Sequence, residues 1–275
     1  MRVAALQFDV RRDDIEHNFA AVEAGLRAAR DQGVELVVLP EMWPTSFPGA
    51  EPDLERLVTE TEAVAARVAD LSRELELAVC GSAFGRAAPG AKPTNRWSLI
   101  ERGERIASYD KVHLFSPTAE TESFSGGEAP PSTVPWRGAR VSGFVCYDLR
   151  FPELTRRCFD ERAQLLCIPA QWPNTRATHF RALAIGQAVL GQCFVIACNR
   201  TGRDVIGRRR MQLDFPGNSL LVDPHGVVLA EGAGQAGLVT ADFDLALARD
   251  LRAQVPVARD RRPELYTRWP SPEAL

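Results

Sequence analysis

Histidine is scarce in this sequence, and the patterns that build metal sites are missing. Only four histidines occur among 275 residues, and no HExxH motif or cluster of histidine and cysteine accompanies them. The phosphate-binding motif GxxxxGKS/T and the serine-hydrolase motif GxSxG are also absent. We therefore expect no metal ion, no phosphate-binding loop and no serine nucleophile.

Long apolar runs and an excess of one charge are missing as well. No apolar stretch reaches the length of a membrane span, and the stretch after Met1 is too short and too soon acidic for a signal peptide. Lys and Arg number 33 against 36 Asp and Glu, which gives a net charge of −3. The arginine run at 208–210 is predicted to be a solvated loop. We expect neither membrane nor nucleic-acid partners.

Cysteine is present without the spacing of a disulfide or zinc framework. None of the six cysteines forms a CxxC pair. Four of them lie in apolar runs, like core residues, and a fifth lies in a predicted helix, which fits a reduced, cytoplasmic setting. The sixth, Cys146, precedes a polar run and is therefore the candidate for chemistry.

Apolar strands alternate with amphipathic helices along most of the chain. The first helix is predicted to begin at Asp13 or Asp14 and to end at Gly33. The other helices are predicted at 61–75, 152–162, 178–191 and 245–251. Strands are predicted at 3–9, 35–40, 77–84, 132–136, 139–146, 164–169, 193–199 and 237–244. No linker or repeat divides the chain, so we predict a single α/β domain over 1–275 with mixed strand directions.

Turn-rich segments separate some of these elements. Residues 96–111 and 218–231 predict antiparallel hairpins, with turns at 102–103 and 224–226. Residues 116–133 predict a long loop with functional potential. The sequence GAGQAG at 232–237 matches the dinucleotide-binding pattern GxGxxG but precedes a strand rather than a helix, so we interpret it as a hairpin turn.

Three side chains of different chemistry adjoin apolar segments of the sequence. Cys146 follows ARVSGFV, Glu41 follows ELVVLP, and Lys111 lies in ASYDKVHLF. Each has an ordinary explanation on its own: a core cysteine, an exposed glutamate, and a lysine that reaches the surface over apolar neighbours. Strand ends are, however, where α/β folds place their sites. The combination therefore favours an active site.

The combination fits a cysteine hydrolase. Glu41 could accept the thiol proton, and Lys111 together with the backbone N–H of Tyr147 could stabilise the oxyanion that forms on attack. An alternative is a Cys–His pair in which His113 serves as the base.

Three segments, LPEMW, YDKVHLF and CYDLRFPEL, carry a resemblance to the nitrilase (carbon–nitrogen hydrolase) superfamily, in that family's order. The resemblance continues through PAQWP, ACNRTG and NSLLVDPHG and covers nearly the whole chain. It implies a four-layer αββα sandwich of mixed sheets, with Glu41, Lys111 and Cys146 as catalytic residues. It also implies a thioester acyl-enzyme without metal or organic cofactor. It further implies a homodimer or higher homo-oligomer, with the helices after the nucleophile at the interface.

The same resemblance implies a second active-site glutamate, for which Glu120 is the candidate and Glu122 the competitor. Within the superfamily, CYDLRFPEL, PAQWP and NRTG are most similar to the ω-amidase branch. Its members remove the terminal amide of 2-oxoglutaramate or 2-oxosuccinamate. An N-carbamoyl compound, the amide of deaminated glutathione, or a catalytically silent interaction module are the alternatives.

An anionic substrate needs a cation in the pocket, and Arg176 is the candidate because a guanidinium binds a carboxylate through two N–H groups. Phe115 and Trp172 are predicted to form walls of the pocket. Asp148 and Arg150 flank the nucleophile and are interpreted as structural residues that pair with each other or with nearby backbone.

Overall fold

Two six-stranded sheets form the centre of the structure, a computed structural model that describes residues 1–88, 90–206, 210–266 and 268. Residues 208 and 209 of the arginine run lie outside these ranges. The first sheet has the order β14-β1-β2-β3-β4-β5, parallel from β1 to β3 and antiparallel elsewhere. Its strands are β1 (Arg2–Gln7), β2 (Leu36–Val38), β3 (Ala78–Gly85), β4 (Thr94–Glu101), β5 (Glu104–Asp110) and β14 (Gly237–Asp242).

The second sheet has a closely similar plan. Its order is β13-β12-β9-β8-β7-β6, parallel from β7 to β9 and antiparallel at both edges. Its strands are β6 (Val134–Trp136), β7 (Ala139–Gly143), β8 (Leu165–Ala170), β9 (Phe194–Asn199), β12 (Leu220–Val222) and β13 (Val228–Glu231). The predicted hairpins β4–β5 and β12–β13 are confirmed.

Side chains alternate between the faces of the first sheet, and each face has its own core. Val3, Ala5 and Val38 point toward the second sheet, whereas Ala4 and Val37 pack under helices. Hydrogen bonds also join the sheets: Trp97 Nε1 donates to the carbonyl of Cys167 at 3.2 Å.

Helices cover the outer face of each sheet. On the first sheet lie α1 (Ile15–Asp31), which Asp14 caps, and α2 (Leu54–Leu75). On the second lie α3 (Pro152–Asp160) and α4 (Ala177–Gly191). The chain then adds α5 (Leu245–Gln254), α6 (Val257–Asp260) and α7 (Pro263–Tyr266). The predicted four-layer αββα sandwich is confirmed.

One prediction about connections was wrong, and one pair of strands was not predicted. The GAGQAG segment is not a hairpin turn, because it links β13 of the second sheet to β14 of the first. The prediction also missed a separate two-stranded ribbon, β10 (Thr201–Ile206) with β11 (Met211–Pro216).

Strands of both sheets bring the candidate residues to one edge of the sandwich. Glu41 follows β2 and Lys111 follows β5 in the first sheet, while Cys146 follows β7 in the second. The backbone N–H of Glu41 lies 3.4 Å from the carbonyl oxygen of Ala170, at the end of β8. The two sheets therefore bring residues distant in sequence into one site.

Candidate active site

The Lys111 ammonium lies between two carboxylates at the centre of the site. Its Nζ donates to Glu41 Oε1 at 2.8 Å and to the two oxygens of Glu120 at 3.0 and 2.9 Å. All three side chains are buried, with Lys111 1% exposed. Burial alone would lower the pKa of Lys111, but the charges of Glu120 and Glu41 outweigh it and raise the pKa above its usual range. Lys111 is therefore a fixed cation.

Glu41 is held by donors other than Lys111. Asn95 Nδ2 donates to Oε1 at 2.9 Å, and the backbone N–H of Gln171 donates to Oε2 at 3.0 Å. The side-chain amide of Gln171 also donates to the Glu41 carbonyl at 2.8 Å. Sequence reasoning missed both partners, although Gln171 lies in the PAQWP segment that it singled out.

Glu120, rather than Glu122, faces the site. Glu120 is 3% exposed, and its Oε2 accepts from the backbone N–H of Phe115 at 2.6 Å. Glu122, in the same short 3₁₀ helix (Glu120–Glu122), is exposed to solvent. Burial raises the pKa of Glu120, the charge of Lys111 opposes that rise, and the charge of Glu41 adds to it.

Cys146 stands at a sharp change of chain direction. β7 ends at Gly143, earlier than predicted, and Cys146 begins a 3₁₀ helix (Cys146–Arg150). Its φ of 45° lies in the left-handed region, which costs a non-glycine residue about 1–2 kcal/mol. Such a backbone persists where the surrounding structure holds it in place, as active sites often do.

The Cys146 thiol is neutral in its resting surroundings. Burial raises the pKa of the thiol well above its ordinary range, the Glu41 carboxylate raises it further, and the Lys111 ammonium partly opposes both. A thiol of this kind needs a base beside it in order to react at neutral pH. Glu41 is the carboxylate that interacts with it directly.

A pocket leads from solvent to the thiol. It encloses about 450 Å³ of empty space, including its open mouth, and Glu41, Lys111 and Cys146 line its floor. Its walls include the predicted substrate-binding residues Phe115, Trp172 and Arg176. Tyr147, whose backbone N–H is the predicted oxyanion donor, also lines it. The ribbon β10–β11, which was not predicted, contributes Ile206 and Leu213.

Two guanidinium groups line this pocket. Arg176 lies with its Cζ 5.5 Å from the Phe115 ring centroid, and Arg150 lies 4.8 Å from that of Trp172. Within the described part of the chain, neither has a carboxylate within 4.0 Å. Both are half-buried and available to an anionic group in the pocket.

Asp148 pairs with backbone, one of the two arrangements expected for it, and not with Arg150. Asp148 is fully buried and accepts from Tyr109 Oη, from the backbone N–H of Val145, and from the backbone and ring of His113. Arg150 instead lines the pocket, and its Nη2 lies 3.1 Å from Nδ1 of the exposed His179. Asp148 thus braces the turn that carries Cys146, as a structural residue would.

His113 is engaged outside the pocket. Its Nδ1 lies 2.9 Å from Asp148 Oδ1, and its ring stacks on Phe151 at a centroid distance of 3.6 Å. His113 does not line the pocket that contains Cys146. This placement favours the carboxylate over the imidazole as the base.

Neither metal-ligand clusters nor membrane spans were found in the described ranges. No three potential ligands among His, Cys, Asp and Glu gather there as a metal ion would require. No helix there combines the length and the apolar character needed to cross a membrane.

The fold and the pocket together define a class of protein. A four-layer αββα sandwich presents a buried thiol, a fixed ammonium and two carboxylates at one edge. These are the functional groups that a hydrolase needs in order to attack a carbonyl carbon with a cysteine sulfur.

Sequence comparison gives the family. Residues 2–253 match the carbon–nitrogen hydrolase family, and the chain belongs to it. The 2-oxoglutaramate amidase of Bacillus subtilis (strain 168) is 33% identical over 266 residues, which cover 96% of this chain and 98% of that protein. Omega-amidase YafV of Escherichia coli (strain K12) is 32% identical over 83% of this chain and 84% of its own.

Solved structures agree. The amidase from Nesterenkonia sp. AN1 superposes with a TM-score of 0.84 at 29% identity, covering 98% of this chain and all of that one. A mutant of that amidase carries the acetamide moiety of fluoroacetamide covalently attached at its active-site cysteine, with a TM-score of 0.85, 28% identity and coverage of 98% and 97%. This chain is a carbon–nitrogen hydrolase of the nitrilase superfamily.

Proposed function

We propose that this protein is an ω-amidase that uses Cys146 to release ammonia from the terminal amide of a small dicarboxylate monoamide such as 2-oxoglutaramate. One observation carries the proposal. A single pocket joins the Glu41–Lys111–Glu120 cluster and the thiol to two arginines without carboxylate partners among the described residues. The first set serves amide hydrolysis, and the arginines serve an anionic substrate.

The reaction proceeds through a thioester. Glu41 takes the thiol proton as the sulfur attacks the amide carbon, and Lys111 with the backbone N–H of Tyr147 stabilises the oxyanion. The C–N bond then breaks, and the leaving nitrogen takes the proton from Glu41 and departs as ammonia. A carboxylate of the site then takes a proton from water as the water oxygen attacks the thioester carbon. The C–S bond breaks, the acid product leaves, and the carboxylate passes its proton to the sulfur. Glu120 keeps Lys111 in place throughout.

Arg176 and Arg150 provide substrate selectivity in this proposal. An amide placed at the sulfur of Cys146 leaves the far end of the substrate among the pocket walls that hold these guanidinium groups. A carboxylate there gains charge-assisted hydrogen bonds that a neutral amide lacks. Phe115 and Trp172 enclose the carbon chain between the two ends.

Ammonia release tests the proposal directly. We expect turnover of 2-oxoglutaramate to exceed that of N-carbamoyl amino acids, deaminated glutathione and neutral propionamide, and to vanish in Cys146→Ala. Arg176→Gln should raise KM for 2-oxoglutaramate about tenfold and leave propionamide nearly unaffected. Preference for a carbamoyl compound would overturn the substrate but not the chemistry.

A covalent adduct separates an enzyme from a silent member of the fold. Fluoroacetamide should add one acetamide group to Cys146, detected by mass spectrometry of the intact protein and its peptides. Cys146→Ala should take up none. An unlabelled Cys146 together with no turnover of any amide would indicate an interaction module.

We also propose that residues 1–275 form one domain, that two copies form a homodimer through α3 and α4, and that the protein is cytoplasmic. Val189 and Leu190 on α4 are 49% and 69% exposed, and a second copy would cover them. The free state of all six cysteines fits a reducing compartment.

A further inference from the structure

Among the described residues, Arg200 is the largest fully buried charged side chain that the proposed mechanism does not use. It is 0% exposed and lies in the NRTG segment, between β9 and β10. Nη2 donates to Asp9 Oδ1 at 2.9 Å, and Nη1 donates to Asp204 Oδ2 at 3.3 Å. Burying a cation costs free energy unless well-placed partners accept its hydrogen bonds. A buried arginine with this many partners is therefore expected to have a specific role.

One contact of this guanidinium leads to the active site. Arg200 Nη1 donates to Gln171 Oε1 at 3.1 Å and to Ser46 Oγ at 3.1 Å. Gln171 in turn donates through Nε2 to the Glu41 carbonyl at 2.8 Å and through its backbone N–H to Glu41 Oε2 at 3.0 Å. A single residue, Gln171, thus links Arg200 to Glu41, the carboxylate beside the Cys146 thiol.

The chemistry of the guanidinium determines which way the Gln171 amide faces. An arginine can only donate hydrogen bonds, so it must meet the amide oxygen. The amide nitrogen is then directed to the carbonyl of Glu41, where a donor is required. Without Arg200, the amide could rotate and present its oxygen to that carbonyl, which would repel it.

We propose that Arg200 is a positioning residue that holds Glu41 in its reactive place through the side-chain amide of Gln171. The proposal rests on the role assigned to Glu41 under the proposed function. It goes beyond that role by adding a buried arginine that touches neither the substrate nor the sulfur.

The ribbon β10–β11 is tied to the same guanidinium. Asp204 on β10 accepts from Arg200, and the Phe215 ring on β11 lies 4.6 Å from its Cζ. The ribbon also supplies Ile206 and Leu213 to the pocket wall. Arg200 therefore sets the base and one wall of the pocket relative to each other.

The test uses Arg200→Lys, Gln171→Met and the double variant. Lysine keeps the charge but cannot reach Asp9, Asp204 and Gln171 together, and methionine keeps the backbone N–H to Glu41 while removing the amide. We expect each single variant to lower kcat about tenfold to a hundredfold with a smaller change in KM, since a small misplacement of a catalytic group has effects of this size. The pH dependence of Cys146 alkylation by iodoacetamide should also shift to lower pH, because a displaced Glu41 carboxylate raises the pKa of the thiol less.

The kcat of the double variant tests whether Arg200 acts through Gln171. If Arg200 acts through Gln171, the double variant should be no slower than the slower single variant, because both break one path. Losses in kcat that multiply in the double variant would overturn the proposal. So would wild-type kcat and alkylation in either folded single variant.

Controls separate this role from simple support of the fold. Arg12→Gln removes another partner of Asp204 without touching Gln171 and should lower the melting temperature while retaining kcat. Should Arg200→Lys fail to fold, Gln171→Met decides alone. Glu41→Gln in the same assays distinguishes a failure of the positioning proposal from a failure of the proposed function. Its retained turnover would refute the role of Glu41, whereas its loss beside a fully active Gln171→Met would refute only the positioning role.

Discussion

The charges around Cys146 do not cancel, because two carboxylates share one ammonium. Glu41 and Glu120 both bind Lys111, and all three are buried with the thiol. In the absence of substrate, this excess of negative charge favours the neutral thiol of Cys146 over the thiolate. The sulfur becomes nucleophilic when its proton moves to Glu41 during attack.

Glu41→Gln is expected to separate acidity from catalysis. Amide turnover should fall at least about a hundredfold because the base is lost. The pKa of the Cys146 thiol should nevertheless fall, because the carboxylate that raises it is gone while Lys111 remains. The pH dependence of Cys146 alkylation, followed by mass spectrometry, should therefore shift to lower pH. A shift to higher pH would contradict the electrostatic account.

Lys111→Met should destabilise the protein, most strongly at high pH. Removing one partner of a buried ion pair costs about 3–5 kcal/mol. Without the ammonium, the pKa of Glu120 rises further above its ordinary value, so the folded state binds a proton more tightly than the unfolded chain does. Stability is then greatest below the ordinary glutamate pKa of about 4.3 and is lost as pH rises through the raised pKa.

Urea unfolding at pH 5 and pH 8 measures this effect. The deficit of Lys111→Met relative to the wild type should be larger at pH 8. An equal deficit at both pH values would show that Glu120 does not take up the proton.

Single residues differed in how far they could be predicted. Glu41 and Cys146 each follow an apolar strand, and Lys111 is flanked by apolar residues. Such surroundings make a polar side chain conspicuous. Asn95 lies inside β4, and Arg200 follows β9 in a segment rich in polar residues, where either could be an ordinary surface group. The role of Asn95 depends on a partner 54 residues away and that of Arg200 on a partner 29 residues away, which no local pattern reveals.

At the scale of elements, prediction succeeded where one apolar face packs on one core. The C-terminal part of α2 packs with α1 on the first sheet and was predicted from Thr61 onward. Its first two turns were missed because Leu57 and Val58 face a different cluster, with Phe124 and Phe215. The ribbon β10–β11 was missed because a two-stranded ribbon buries little and leaves a weak apolar pattern.

The ribbon should control substrate affinity. Leu213→Ala removes part of the pocket wall and is expected to raise KM for 2-oxoglutaramate about tenfold with little change in kcat, because the wall contacts substrate and transition state alike. Steady-state kinetics test this, with the exposed neighbour Gln212→Ala as the matched control. An unchanged KM would show that the ribbon does not contact the substrate.

At the scale of the whole molecule, the layers followed from the alternation of apolar strands and amphipathic helices. The connections between sheets did not. GAGQAG resembles a hairpin turn because strands flank it, and the sequence does not tell whether those strands belong to one sheet or to two. Pairing between β14 and β1, near opposite ends of the chain, lies beyond any local pattern.

Leu190→Asp is expected to yield a monomer. The side chain is 69% exposed on α4, and a carboxylate buried between two copies without a partner would oppose association. Analytical ultracentrifugation should show a dimer for the wild type and a monomer for the variant. Ala66→Asp, which adds the same charge on the exposed side of α2, should remain dimeric. A monomeric wild type at micromolar concentration would refute the homodimer.

The division of the site between two sheets has a consequence for how the chain matures. Glu41 and Lys111 are synthesised before Cys146, and they meet it only when Trp97 and its neighbours have docked on β8. An N-terminal fragment would hold the base and the cation without a nucleophile. During refolding, ammonia release from the substrate should therefore begin only when the two sheets have packed together. The onset of hydrolysis would then report when that packing is complete.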